Sequence, residues 1–147
     1  GLRFMARLSG NILIVESSYY EDITNALIKG ASTTLEAAEQ SIERIAVPGV
    51  FEIPAAIQFA WNEMYFDGCV TLGCVIRGET DHYEHICREV SRALMDISIR
   101  CNMPHGFGIL TCENREQAWE RADIKQKNRG ARAAEACLQM INVKTRF

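Results

Sequence analysis

Two histidines, a glycine and several hydrogen-bonding side chains are concentrated in the segment VIRGETDHYEHICREV, residues 75–90. The segment begins with apolar residues typical of a strand, breaks at Gly78 and continues with the periodicity of an amphipathic helix. Glycine allows the backbone to turn sharply and to approach a ligand closely. Because a helix cap needs only one or two polar residues, the excess here indicates a functional site.

The residue types in this segment suit anion binding combined with proton transfer. We predict that Asp81 caps the following helix and that Glu84, three residues later, completes a capping box. The backbone N–H groups of Glu79, Thr80 and Asp81 would then point at a ligand, and the amino end of a helix favours phosphate. His82 has an ordinary pKa near neutrality, which suits it to donate and accept protons.

Two simpler interpretations of the same segment stay open at this point. The polar residues could do no more than cap the helix. His82 and His85 stand three residues apart on one helical face and could form half of a zinc site. No third ligand follows at a usual spacing, so the sequence favours phosphate binding with proton transfer.

The composition predicts one ordinary globular domain covering residues 1–147. Hydrophobic residues make up 48% of the 147 and charged residues 24%, with a formal net charge of −3. This charge gives no electrostatic argument for binding nucleic acid. No apolar run is long enough for a membrane-spanning helix. We therefore expect small molecules and copies of the same chain as partners.

The six cysteines are predicted to be small core residues in a cytoplasmic protein. No signal peptide precedes the first predicted strand, which indicates a reducing compartment where disulfides are rare. Cys69 and Cys74 stand five apart in a predicted strand, so their side chains point to opposite faces of the sheet. No C-x-x-C pair is present, which argues against a cysteine metal site.

Strands and helices alternate along the chain and must position the polar segment. Apolar runs predict strands within residues 11–15, 41–49, 66–76 and 103–112, with helical periodicity between and after them. The third run lacks polar alternation, as parallel strands covered on both faces do. We predict an α/β fold: a single flavodoxin-like three-layer α-β-α domain with a four-stranded parallel sheet in the order 2-1-3-4. Ligands of such sheets bind beyond the carboxyl ends, here between strands 1 and 3.

Three stretches together resemble the lumazine synthase signature: VPGVFEIPAA (47–56), LGCVIRGETDHYEHICREV (72–90) and GFGILTCENREQAWERA (106–122). The resemblance extends from about residue 11 to residue 140. It implies condensation of 5-amino-6-(D-ribitylamino)uracil with 3,4-dihydroxy-2-butanone 4-phosphate. The products are 6,7-dimethyl-8-ribityllumazine, phosphate and water, in the penultimate step of riboflavin biosynthesis. The resemblance implies no metal and no organic cofactor.

The resemblance also implies a role for each corresponding residue. His82 would be the acid–base histidine, and Arg121 would neutralise the phosphate. Tyr19 would stack on the pyrimidine ring, and Phe107 would come from the neighbouring subunit. The other expected substrate contacts are the phosphate loop (Glu79, Thr80), the ribityl-binding segment (Val50, Phe51, Glu52), the pyrimidine contacts (Val75, Ile76) and Arg129.

Four positions depart from the family pattern. Tyr20 replaces a usual Asn after the stacking aromatic, and Arg129 replaces a usual Lys, which an arginine does not mimic in shape. In shell-forming members a glycine-rich linker joins the last two helices, whereas Asp123 and Lys127 replace two of its glycines here. We therefore expect a free homopentamer with sites between adjacent subunits. We also expect residues 1–10 to form a flexible segment that can pair with a neighbour.

Other functions remain open on the sequence alone. A non-catalytic module that binds flavins or lumazines on the same fold would need neither His82 nor Arg121. A flavodoxin-like electron carrier would need a glycine-containing phosphate loop after the first strand, where the sequence reads ESSYYED. A purely structural shell protein is disfavoured by the glycine-poor linker.

Overall fold

The structure, a computed structural model, describes residues 10–147, so the prediction for the N-terminal segment lies almost wholly outside the described part. The strands are β1 (Asn11–Ser17), β2 (Ser41–Val47), β3 (Gly68–Ile76) and β4 (His105–Cys112). The helices are α1 (Glu21–Ala37), α2 (Ile53–Glu63), α3 (Tyr83–Arg100), α4 (Arg115–Ala122) and α5 (Arg129–Lys144), with a short 3-10 turn at Val50–Glu52 before α2.

The four strands form a parallel sheet in the order β2-β1-β3-β4, which confirms the predicted topology. β3 lies inside the sheet and every one of its residues is buried, as its unbroken apolar run predicts. Within residues 10–147, β2 and β4 are the edge strands. The carboxyl ends of β1 and β3 are therefore neighbours, and the connection reverses direction between them.

Helices cover both faces of the sheet and create two separate cores. On one face the apolar stripe of α1, formed by Ile23, Leu27 and Leu35, packs with residues of α4 and α5. On the other face, α2 and α3 pack against Leu13, Val15 and their neighbours. This arrangement is the predicted three-layer α-β-α architecture.

The cysteines are free thiols, and their places agree in part with the prediction of small core residues. Cys69 belongs to the core beneath α2 and α3, whereas Cys74 belongs to the opposite core, as their spacing predicts. Cys112 and Cys137 are also buried, but Cys87 and Cys101 are half-buried on the α3 side. No helix within residues 10–147 has the length and apolar character needed to cross a membrane.

One glycine on β4 and one in α5 let the last helix approach the sheet and α1 at backbone distance. A β-carbon at Gly106 would overlap the carbonyl of Ala133, and one at Gly130 would overlap that of Leu27. These contacts fix the start of α5, which begins at Arg129.

A partly buried polar network connects the amino-terminal end of β4 to its neighbours. Thr71 Oγ1 lies 2.9 Å from His105 Nε2, and Ser98 Oγ lies 3.0 Å from His105 Nδ1. Ser98 donates its own proton to the carbonyl of Leu94 at 2.7 Å. His105 Nδ1–H must therefore donate to Ser98, and His105 Nε2 accepts from Thr71. Burial lowers the pKa of His105 to about 4, so the ring is neutral near pH 7.

Candidate active site

A cavity of about 400 Å³ opens at the carboxyl ends of the first three strands. We call it the first cavity. It gathers eight of the twelve residues that the sequence singled out, although they come from three separate parts of the chain. The eight are Tyr19, Val50, Phe51, Glu52, Val75, Ile76, Glu79 and Thr80.

Local structure after each strand explains this convergence. β1 ends at Ser17, and the two tyrosines that follow lead into α1. Tyr19 is exposed, and its ring meets the buried Tyr20 ring edge to face, with centroids 4.9 Å apart. After β2, the 3-10 turn presents Phe51, which is also exposed. The aromatic walls of the first cavity are thus set by the loops that follow β1 and β2.

The turn after β3 differs from the predicted capping box, which is wrong. Gly78 adopts the left-handed conformation, with φ 86°, and the N–H of Glu79 donates to the carbonyl of Ile76 at 3.2 Å. The Thr80 hydroxyl accepts from the N–H of His82 at 3.2 Å. This side-chain turn delays α3 until Tyr83 and makes His82, not Asp81, the N-cap residue.

The predicted set of phosphate-binding amides changes accordingly. The N–H of Glu79 is engaged within the turn, so it does not point freely at a ligand. The Glu84 carboxylate accepts from Arg77 at 3.3 Å instead of returning to a cap amide. The amides of Thr80 and Asp81 and the Thr80 hydroxyl remain as the donors of this loop.

His82 stands at the outer end of the same loop and is exposed. Its ring makes no hydrogen bond within residues 10–147, so both ring nitrogens can exchange protons with a ligand. His85 follows one helical turn later, and its ring lies against Phe51 with centroids 6.4 Å apart. Within the described residues, no group of three His, Cys, Asp or Glu side chains is placed to hold a metal ion.

Glu79 is linked to two residues that the sequence did not single out for this site. The Tyr20 hydroxyl donates to Glu79 Oε1 at 3.1 Å, and Arg115 Nε lies 3.8 Å from Glu79 Oε2. Burial, together with this hydrogen bond, raises the pKa of Tyr20 to about 12. Tyr20 and Glu79 stand 59 positions apart in the sequence, so only the fold could bring them together.

A second cavity, of about 330 Å³, lies along the edge strand β4. Three further predicted residues, Phe107, Arg121 and Arg129, line it together with Arg132. No residue lines both cavities. Within one chain, the predicted phosphate arginine therefore lines a different cavity from the predicted phosphate loop.

Contacts with the end of β4 hold Arg121 in the second cavity. Its Nη1 donates to the carbonyl of Thr111 and to Cys112 Sγ, each at 3.5 Å. Hydrogen bonding from the Cys74 thiol and from Arg121 lowers the pKa of Cys112. Arg129 follows Asn128, which adopts the left-handed conformation with φ 46°.

The linker before Arg129 is braced by its own side chains. Asp123 accepts from the N–H of Lys125 at 3.1 Å and from Gln126 Nε2 at 2.9 Å. Lys127 donates its N–H to the carbonyl of Glu120. A glycine at position 123 could not provide the carboxylate that makes the first two bonds.

Ser17 is a candidate ligand-binding residue that sequence reasoning missed. It lines the first cavity and is 1% exposed, and its hydroxyl has no hydrogen-bond partner within the described residues. A buried hydroxyl without a partner is costly, and a polar ligand in the cavity would relieve that cost. The only sequence signal was its place at the end of the first strand.

Comparison with known proteins gives one consistent result. The model of the 6,7-dimethyl-8-ribityllumazine synthase family matches residues 9–145. A protein named 6,7-dimethyl-8-ribityllumazine synthase from Bartonella tribocorum is 54% identical over 142 residues, which cover 96% of this chain and 94% of that protein. Proteins of the same name from Bartonella henselae and Afipia carboxidovorans are 50% and 46% identical, covering 93% and 92% of this chain and 90% and 86% of their own lengths.

Proposed function

The chain belongs to the 6,7-dimethyl-8-ribityllumazine synthase family, and on that premise we propose which of its residues carry out the condensation. The reaction joins 5-amino-6-(D-ribitylamino)uracil to 3,4-dihydroxy-2-butanone 4-phosphate and is the penultimate step of riboflavin biosynthesis. The first cavity carries the proposal, because it collects an aromatic ring, a hydroxyl-binding segment and a phosphate loop in one place. Six free thiols also support our proposal that the enzyme works in the cytoplasm.

Within the first cavity each proposed role follows from the chemistry of the residue. The exposed Tyr19 ring stacks on the pyrimidine, and the backbone of Val75 and Ile76 binds its polar edge. Glu52 accepts hydrogen bonds from the ribityl hydroxyls, beside Val50 and Phe51. The phosphate of the second substrate binds at the Thr80 hydroxyl and the adjacent amides.

The second cavity contributes the cations from a neighbouring chain. The family resemblance implies only Phe107 as a residue of the neighbour, but Arg121 and Arg129 line the same cavity as Phe107. An edge strand has a free side against which another chain can pack. We therefore place the complete site between two chains, with the first cavity from one and the second cavity from the next.

Exposed apolar side chains support self-association. Phe59 on α2 is 71% exposed, and Met95 and Ile99 on α3 are 62% and 68% exposed. Large apolar side chains exposed on neighbouring helices favour a protein partner. The proposed assembly is a free homopentamer, and the braced linker around Asp123 is consistent with it. Light scattering should give a mass near five times the 16.5 kDa of one chain; a mass near sixty chains would contradict the pentamer.

Most of the catalysis in this proposal comes from positioning the two substrates together. The amine of the pyrimidine attacks the ketone, and His82 transfers the protons needed to lose water and form an imine. Phosphate then leaves towards Arg121, and ring closure expels a second water to complete the lumazine. Acid–base assistance of this kind is worth about 10²–10⁴-fold.

A turnover assay with both substrates tests the function. Lumazine formation, followed by its absorbance, should exceed the uncatalysed reaction. A protein that binds ribityl-pyrimidines or flavins tightly but gives no rate above background would instead be a binding module, and the departures at Tyr20 and Arg129 would be the first residues to revert.

A further inference from the structure

Glu79 creates an electrostatic conflict in the phosphate site proposed above. The same loop that offers Thr80 to a phosphate group also carries a carboxylate, and both residues line the first cavity. The Glu79 side chain is 40% exposed. A carboxylate and a phosphate group in one cavity repel each other, and the repulsion grows as the bound ligand excludes water. A loop that receives a phosphate dianion must therefore hold this carboxylate in a fixed place.

Two residues from outside the loop engage the two carboxylate oxygens separately. Oε1 accepts from the Tyr20 hydroxyl at 3.1 Å, and Oε2 lies 3.8 Å from Arg115 Nε. The Arg115 guanidinium also lies over the Tyr20 ring, 4.9 Å from its centroid. Tyr20, Glu79 and Arg115 therefore form a closed cluster joining β1, β3 and α4.

The core makes Tyr20 a rigid member of this cluster. Its ring is 7% exposed and belongs to the core beneath α1, α4 and α5. The Tyr20 carbonyl accepts from the N–H of Thr24 in the first turn of α1. A side chain anchored in this way holds its hydroxyl in one place with little further loss of entropy.

We propose that Tyr20 is a positioning residue, whose hydroxyl, together with Arg115, holds the Glu79 carboxylate away from the bound phosphate of the substrate. This inference rests on the proposed function, since it concerns the phosphate half of the same site. It also gives a role to one departure from the family pattern. Tyrosine at position 20 supplies the hydroxyl that holds the carboxylate of glutamate at position 79.

Steady-state kinetics of Tyr20→Phe test the proposal, because this change removes only the hydroxyl. The freed carboxylate should raise KM for the butanone phosphate about 3- to 10-fold. KM for the pyrimidine and kcat should change by less than that factor. Calorimetry with inorganic phosphate should show the same weakening in Kd.

A second substitution distinguishes an effect of the Glu79 charge from an effect of altered packing around Tyr20. Glu79→Gln in the Tyr20→Phe background removes the repelling charge and should restore most of the phosphate affinity. Tyr65→Phe is the matched control, because the Tyr65 hydroxyl also donates to a carboxylate, Asp67 Oδ1 at 3.3 Å, just before β3 begins at the other end of the sheet. That control should leave both KM values at those of the wild type.

Three results would overturn the proposal: unchanged phosphate binding in Tyr20→Phe, equal rises of both KM values, or no rescue by Glu79→Gln. Wild-type turnover tests the proposed function independently. If the wild type failed to turn over, the calorimetric comparison with inorganic phosphate would still decide whether Tyr20 controls anion binding.

Discussion

The histidines at the two ends of the sheet have opposite environments. At the carboxyl end His82 is exposed, and its ring has no hydrogen-bond partner within residues 10–147. At the amino end His105 is held from both sides by Thr71 and Ser98, at 2.9 and 3.0 Å. Burial lowers the pKa of His105 to about 4. One histidine is available for chemistry, and the other is part of the fold.

One buried polar residue at each end follows the same division. At the amino end the Asp67 carboxylate accepts from the N–H of Asn11 and from Tyr65. At the carboxyl end the Ser17 hydroxyl is buried without a partner among residues 10–147. Saturated polar groups stabilise a fold, whereas unsatisfied ones are suited to binding a ligand. Substitutions at the carboxyl end should therefore change kinetics, and those at the amino end should change stability.

The largest kinetic effect is expected at Arg121. Arg121→Ala removes charge-assisted hydrogen bonds to phosphate, which should lower kcat/KM for the butanone phosphate by about 100-fold or more. The midpoint of thermal unfolding should stay near that of the wild type. Arg100→Ala, an exposed arginine in the last turn of α3 at the amino end, is the control. Similar kinetics for the two variants would remove Arg121 from the phosphate site.

Acid should destabilise the fold through His105. Its pKa is about 4 in the folded protein and near its ordinary 6.5 when unfolded, so the unfolded chain binds more protons between these values. Stability should therefore be intact above pH 6.5 and fall by about 3 kcal/mol by pH 4. Urea denaturation across this range measures the loss.

The matched variant for this comparison is His105→Gln. It cannot take up a proton, so it should show a flatter pH profile between 6.5 and 4, although it starts from a lower stability at pH 7. An equally steep profile in the variant would mean that other groups cause the acid sensitivity.

His82→Ala should have the opposite pattern. We expect kcat to fall about 10- to 100-fold, since positioning survives and general acid–base help is lost. Denaturation at pH 7 should be almost unchanged, because the ring is exposed. Full activity in this variant would exclude His82 from the mechanism, and a large loss of stability would contradict the division between the two ends.

The smallest effect is expected at Ser17. Ser17→Ala removes a buried hydroxyl that has no partner in the described part of the chain, so the free protein should become about 1 kcal/mol more stable and melt about 2–4 °C higher. KM for the ribitylaminouracil should rise about threefold if that hydroxyl binds the substrate. A more stable variant with an unchanged KM would make Ser17 a structural residue only.

Much of the fold could be predicted because runs of apolar residues indicate directly which segments are buried. The unbroken run of β3 identified an inner strand, and the stripe of α1 identified its buried face. Fine details of the loop after β3 were wrong, because the Thr80 hydroxyl competes with Asp81 for the start of α3. Pairings such as Tyr20 with Glu79 depend on the packing of distant segments, which no local spacing records.

The distribution of the candidate site over two cavities could not be predicted either. The order of the motifs places Arg121 after His82 in the sequence. It does not show that Arg121 lines a cavity along β4, whereas His82 lies in the loop after β3. The structure brings Phe107, Arg121 and Arg129 together, and this grouping is the basis of our proposal that a neighbouring chain contributes more than Phe107.

In the proposed assembly His82 of one chain and Arg121 of the next, which lines the second cavity, serve one site, so two defective proteins should restore activity to each other when mixed. His82→Ala chains keep Arg121, and Arg121→Ala chains keep His82. In the proposed rings, reassembled at random from equal amounts, about a quarter of the junctions would pair a chain that has His82 with a neighbour that has Arg121. Activity should thus reappear on mixing, to about a quarter of the wild-type value, and a cell carrying both alleles would still make its lumazine.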